Sequence, residues 1–208
     1  SADNLLIFNP LQISFTNAEA IAVSTKATVE ASIGHGVFLS DSQNKATEYL
    51  HNFDYEMLIE KGAVNKLGNI NIDTGMIWFN SQIVDSLWNL ISKKNKINSE
   101  KFNFFVNDRA RLSFHTDFIF PLASSSTLEQ YLNEKSENNE INDDLIACRK
   151  ILWEKLHNYS IEVKKLSPTK FIHSKNSDEF RQLMTDHLDE YRFLDWRPNV
   201  LTNMPQTE

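Results

Sequence analysis

The chain has 208 residues, 28 acidic against 21 basic side chains and a formal net charge of −7, a length that accommodates one ordinary domain with at most a small appendage. With 41% hydrophobic and 24% charged residues and no long apolar run, it reads as a soluble globular chain, neither disordered nor membrane-spanning. The acidic balance, with a sequence pI near 5.4, excludes the basic footprint of a protein that grips nucleic-acid phosphates.

Cys148 is the one cysteine, which rules out an intrachain disulfide and a cysteine-rich zinc site and makes the cytoplasm the default location. The start, Ser1-Ala2-Asp3-Asn4, has neither an initiator Met nor a signal peptide, so the chain is expected to be cut from a longer polypeptide. Fourteen Phe, four Trp and five Tyr supply material for a sizeable core.

In chain order, the first half reads mainly as strands: Leu5 to Phe8, Ala20 to Ser24, Gly36 to Leu39, then Ile70 to Ile72 followed by Met76 to Phe79, each bounded by Asn, Asp, Gly or Pro. Asp54 to Gly62 reads as a short helix with a glycine stop. Ser81 to Lys93 carries Ile83, Val84, Leu87, Trp88, Leu90 and Ile91 on one helical face, with Lys93 and Lys94 expected to close the last turn. The second half turns helical at Ser126 to Glu134 and Ile141 to His157, around a polar loop from Asn133 to Asp144. Ile161 to Val163 and Lys170 to His173 resume as strands, and Asp178 to Tyr191 returns to helical spacing. Residues 1–191 are expected to form the domain and 192–208 a linker or tail. The mixture predicts an α/β sandwich, with ligands expected at the carboxyl ends of its strands.

Polar residues at the ends of apolar strands are the candidates for chemistry. Asp3 either holds Mg²⁺ bridging phosphates or caps the strand that follows. His35, between Gly34 and Gly36, marks either a tight turn or close backbone approach to a ligand. Asp73-Thr74-Gly75 interrupts a strongly apolar strand, where a glycine marks a bulge or a ligand's approach. His115 and Asp117 stand two apart, on one face if that segment is extended, and are either metal ligands or a plain hydrogen-bonded pair. His173 ends a strand ahead of Ser177, which reads as a helix N-cap or as the edge of a phosphate or sugar site. The chain has no P-loop, dinucleotide-binding glycine motif, nucleophile elbow or H-E-x-x-H, and Cys148 lies on an apolar helical stripe, so covalent catalysis is not signalled.

Taken in register, Ala2-Asp3-Asn4-Leu5-Leu6, His35-Gly36-Val37-Phe38, Ile72-Asp73-Thr74-Gly75, His115-Thr116-Asp117-Phe118 and His173-Ser174-Lys175-Asn176-Ser177-Asp178-Glu179 resemble the motifs of the fucose-1-phosphate guanylyltransferase family, the GDP-fucose pyrophosphorylases. Those motifs are a Gly-Asp pair before an apolar strand, H-G-V-F, [LI]-D-T-G, Y-x-[DE]-[FL] and H-x-G-T-[ST]-x-E. The resemblance implies a mixed-sheet nucleotide-diphospho-sugar transferase-like fold lacking its N-terminal nucleotide-binding part. It implies transfer of GMP from GTP to L-fucose 1-phosphate, with Mg²⁺ shielding the phosphates. Asp3 would be the catalytic metal ligand and Asp117 a second; His35, Asp73, Thr74, Gly75, His173 and Ser177 would line the sugar phosphate site. The implied partners are the sugar phosphate and nucleotide sugar, an upstream glycine-rich nucleotide-binding segment and a downstream fucokinase domain of the same polypeptide; nucleic acid and membrane are not expected.

The departures are also specific. Ala2 and Lys175 stand where the family has glycine, His115 where it has tyrosine, and Asn52 where it has a lysine expected on phosphate. A degenerate, non-catalytic sugar-phosphate-binding or scaffolding domain attached to a fucokinase is therefore the alternative, and the chain alone is not expected to be a competent enzyme.

Overall fold

Chain order in the computed structural model is β1 (Asn4–Phe8), β2 (Ala20–Thr28), α1 (Val29–Ser32), β3 (Val37–Ser40), β4 (Ala46–Leu50), α2 (Tyr55–Glu60), β5 (Asn69–Phe79), α3 (Ser81–Ile91), β6 (Ser92–Lys93), β7 (Lys96–Ile97) and α4 (Ser99–Phe105). A π-helical turn (Phe114–Ile119) then leads through a short 3-10 turn to α5 (Leu128–Asn133), α6 (Asp143–Leu156), β8 (Ile161–Leu166) and β9 (Thr169–His173). The structure describes residues 4–15, 17–51, 53–135 and 140–173, with positions 177, 178, 181 and 185. Asp3, Ala2, Asn52 and Lys175, the tail from 192 and most of the helix expected at Asp178 to Tyr191 lie outside the described residues.

The chain packs as two compact units, Ser1–Ile7 with Lys170–Glu208, and Phe8–Thr169. The smaller unit contains most of the two-stranded sheet β1-β9. The larger holds a five-stranded sheet in the order β4-β3-β5-β2-β8. Only β2 and β8 run parallel; β2 pairs antiparallel with β5, and β3 antiparallel with both β4 and β5. The fold is thus α/β with a mixed sheet, as expected. Beyond Val37, β3 leaves β5 and the β3–β4 hairpin curls toward β8, where Lys45 bridges Glu162 and the Val163 amide donates to Asn44 O at 2.8 Å.

Short polar residues start the helices by accepting the orphan amides of the first turn. Asp54 caps α2, Asn80 caps α3, Asn98 caps α4 and Asn142 caps α6. Thr127 and Gln130 form a reciprocal capping box on α5. One sequence expectation needs correction. The third helix stops at Ile91, because Lys94 and Asn95 take φ of 53° and 58° and turn the hairpin β6–β7 instead of closing a helical turn. Strand β4 and helix α4, too short to show a clear period, were not anticipated.

One face of the sheet is covered by the helices. Ala20, Ala22, Ile161 and Val163 of the sheet pack with Ile83 of α3, Phe105 of α4 and Cys148, Leu152 and Leu156 of α6, all buried. Phe38 and Tyr49 belong to the same cluster, so these neighbouring strands present aromatic rings to the helical side.

Candidate functional site

The Asp73-Thr74-Gly75 segment is a bulge. Ala22 pairs with Ile77 and Ser24 with Asp73, so Val23 alone faces the three residues Thr74, Gly75 and Met76. Gly75 sits at φ 73°, a left-handed conformation that glycine takes without steric cost. The Gly75 amide donates to Asp73 Oδ1 at 2.9 Å, and the Thr74 hydroxyl donates to Val23 O at 2.8 Å. The bulge expected from the sequence is therefore present, and its effect is to lock the Asp73 carboxylate.

Asp73 Oδ2 receives the Tyr49 hydroxyl at 3.2 Å and lies 3.5 Å from His115 Nδ1; the Tyr49 oxygen is 3.4 Å from the same nitrogen. The Asp73 side chain is 2% exposed and the His115 side chain 40%, so the imidazole roofs a buried carboxylate. His51, just past the end of β4, sets its ring nearly parallel to that of His115, 9° between planes and 6.2 Å between centroids, and stacks at 21° with Tyr49.

Gly36 makes this arrangement possible. Asp73 donates its amide to Gly36 O at 2.7 Å, and a Cβ on Gly36 would fall 2.1 Å from the Tyr49 hydroxyl and 2.6 Å from its Cζ. The ring lies where any other side chain would stand. Ser24 faces Asp73 across the β2–β5 pair, hence on the same side of the sheet; its hydroxyl is fully buried and has no hydrogen-bond partner among the described residues.

His115 and Asp117 do not share one extended face. Phe114–Ile119 is a π-helical turn, which points the two side chains apart. Asp117 is fully buried: Oδ1 accepts from Arg149 Nε at 2.7 Å and Oδ2 from the Ser113 amide at 2.6 Å. Arg149 Nη1 also donates to Tyr131 O at 3.0 Å and Glu134 O at 2.7 Å, and its guanidinium lies 5.2 Å over the Tyr131 ring. The Tyr131 hydroxyl returns to Asp117 O at 3.0 Å. Geometry thus gives Asp117 a buried ion pair that fixes the π-helical turn, not a place facing a ligand. Burial pushes the Tyr131 hydroxyl far above its ordinary range, with Asp117 adding to the rise, so it stays a neutral donor.

The other sequence candidates lie elsewhere. His35 follows Gly34, at φ 80°, and donates its amide to Ser32 O at 2.9 Å, the tight turn that was one of its two readings. His173 closes β9 in the smaller unit, and Ser177 there is helical and exposed. The cluster is Asp73, Tyr49, His51 and His115 with Gly36 and Ser24, centred on a mid-strand bulge and the end of β4, not on the carboxyl ends of parallel strands. Sequence reasoning missed Tyr49 and His51. Their spacing of two, continuing the face of a strand, was the available signal.

Among the described residues no group of three His, Cys, Asp or Glu side chains gathers to hold a metal ion, and no helix is long and apolar enough to cross a membrane. Residues 1–208 match the family model described as "Fucose pyrophosphorylase domain". Comparison with curated proteins and with solved structures gave no match.

Proposed function

We propose that this chain, which belongs to the fucose pyrophosphorylase domain family, is part of a fucose-1-phosphate guanylyltransferase that binds the sugar phosphate at the Asp73 bulge. In the reaction a phosphate oxygen of L-fucose 1-phosphate attacks the α-phosphorus of GTP. The bond to the bridging oxygen breaks, and pyrophosphate leaves. Such in-line displacement needs positioning and charge neutralisation and no protein nucleophile, which agrees with the absence of a nucleophile motif.

The observation that carries this reading is that two family motifs, His35-Gly36-Val37-Phe38 and Ile72-Asp73-Thr74-Gly75, meet in space with a third, His115-Thr116-Asp117-Phe118: Gly36 O holds the Asp73 amide, and His115 lies over the Asp73 carboxylate. Motifs far apart in sequence that build one polar cluster are what a binding site requires.

Magnesium is proposed to travel with the triphosphate. The described residues do not fit a protein cage for it, since Asp117 is committed to Arg149, and no step is assigned to a protein-held metal. An upstream nucleotide-binding segment, a fucokinase on the same polypeptide and a cytoplasmic location are proposed with it. The second reading, a non-catalytic sugar-phosphate-binding domain, is favoured by Asn52 in the lysine position and Lys175 in a glycine position.

Two measurements test the pair. Calorimetric titration of L-fucose 1-phosphate and GDP-L-fucose into the chain should show saturable binding that Asp73→Asn weakens, because the buried carboxylate that orders Tyr49, the Gly75 amide and His115 at the site is lost. Formation of GDP-fucose by the full-length polypeptide should accompany it; binding without turnover favours the non-catalytic reading, and no binding of either ligand refutes both.

A further inference from the structure

A pocket of about 190 Å³ adjoins the Asp73 cluster through Tyr49, which gives its hydroxyl to Asp73 and stands in the pocket's wall. Glu48 of β4, Phe53 two residues ahead of α2, Lys61 at the end of α2, Phe120 of the short 3-10 turn and Glu134 at the end of α5 also line it. The backbone of Glu134 is held on both sides: its amide donates to Tyr131 O at 3.3 Å, and its carbonyl accepts from Arg149 Nη1 at 2.7 Å. Its half-buried carboxylate accepts no hydrogen bond from any described residue. Burial pushes this carboxyl up from its ordinary value, and the Arg149 guanidinium pulls it down. A carboxylate drawn partly out of water with its acceptor positions unfilled gains from the donors that a ligand brings.

Charge and donor type narrow what fits. Two carboxylates stand here against one ammonium, Lys61 Nζ bonding Glu48 Oε2 at 2.7 Å, so the pocket repels a phosphate. A cation would leave Lys61 without an acceptor in the ligand and be repelled by it. A hydroxyl both donates and accepts, so a ring of neighbouring hydroxyls serves the carboxylates as donor and Lys61 as acceptor. Phe53 and Phe120, the latter stacked on Tyr131 at 5.8 Å, supply apolar walls for the carbon face of such a ring. Aromatic walls with a few placed polar groups are the usual lining of a small-molecule site. The volume corresponds to about six waters at about 30 Å³ each, the scale of one monosaccharide and not of a nucleotide.

We infer that this pocket takes a neutral, hydroxyl-bearing ring and that Glu134 accepts hydrogen bonds from its hydroxyls. The inference rests on the proposed function in one respect, that the ring is the sugar of the sugar 1-phosphate. It separates the sugar half of that ligand, held between Glu134 and the two phenyl rings, from the phosphate half, which the carboxylates keep out of the pocket.

The test uses the 208-residue chain with L-fucose, L-fucose 1-phosphate and, as a cationic probe, ethylammonium. Calorimetry and saturation-transfer NMR should show L-fucose binding, and ¹H–¹⁵N spectra of the unaltered chain should show the amides of Phe53, Lys61 and Glu134 moving as it is added. That observation needs no variant to fold. Glu134→Gln keeps the shape of a half-exposed side chain and removes its charge; it should weaken L-fucose and L-fucose 1-phosphate alike, by about tenfold, the difference a charged acceptor makes. If L-fucose 1-phosphate binds Glu134→Gln as well as the unaltered chain and those amides stay still, this inference falls and the proposed function stands. If Glu134→Gln weakens L-fucose, but L-fucose 1-phosphate binds no better than L-fucose and the full-length polypeptide forms no GDP-fucose, the pocket assignment stands and the guanylyltransferase reading falls. Ethylammonium moving the same amides at lower concentration than L-fucose would overturn the choice of a neutral ring. Absence of binding by either sugar overturns both readings.

Discussion

Replacing Arg149 by Met keeps the apolar stem and removes the guanidinium from a place where both it and Asp117 are wholly shielded from water. Three things are lost together. The Asp117 carboxylate keeps only the Ser113 amide; the Glu134 carbonyl loses the guanidinium and the Tyr131 carbonyl keeps only the Glu134 amide; and the cation over the Tyr131 ring disappears. Removing one partner of a buried pair costs about 3–5 kcal/mol, because the other charge stays buried without compensation. Carbonyls near the end of α5 regain water more easily, so they add about 1 kcal/mol. The expected loss is therefore about 4–6 kcal/mol, a large part of the roughly 5–15 kcal/mol that holds a domain together.

Urea unfolding followed by tryptophan fluorescence measures it, since Trp153 stacks on Tyr131 at 5.9 Å and reports on this region. The double variant Asp117→Asn with Arg149→Met should cost less than the two single changes added, by about 2–3 kcal/mol. A loss below about 1 kcal/mol for Arg149→Met, or simple additivity in the double variant, would refute the view that this pair anchors the π-helical turn.

Two further outcomes follow from the same geometry. Gly36→Ala places a Cβ 2.1 Å from the Tyr49 hydroxyl, and Tyr49, 4% exposed and packed 4.7 Å from Phe38, has little room to yield. The change should cost about 1–3 kcal/mol by overpacking and displace the hydroxyl from Asp73; Tyr49→Ala in the same chain should relieve the clash without restoring ligand binding, as thermal unfolding and calorimetry would show. Cys148 is fully buried, and burial pushes its thiol up to about 11. It should resist an aromatic disulfide reagent at pH 8 in the folded chain and react at once in urea. Because the folded thiol titrates above its unfolded value, its contribution to stability is complete below about pH 9 and is lost as pH rises toward about 11; stability that stays level across that range in urea titrations would contradict the assignment.

The sequence by itself determined the elements whose chemistry is local. Helices were legible at Asp54 to Gly62 from a glycine stop and at Ser81 to Lys93 from apolar residues that return on one face. The buried strands Ala20 to Ser24 and Ile70 to Phe79 were legible from apolar runs, and the bulge from a glycine inside one. Five motifs in order pointed to the family that the whole chain matches.

What tertiary structure alone decided is which of those residues meet. His115 and Asp117 are two apart in sequence, and a π-helical turn sends one over the sheet and the other into the core. Asp117 belongs to Arg149, and Asp73 to Tyr49 and His115, pairings across 24 to 42 positions that no local spacing encodes. The physical reason is that a buried charge takes whichever partner packing brings within hydrogen-bond distance. Side-chain type fixes what each group needs; only the register of β2 on β5, the curl of the β3–β4 hairpin and the seat of α6 fix who supplies it.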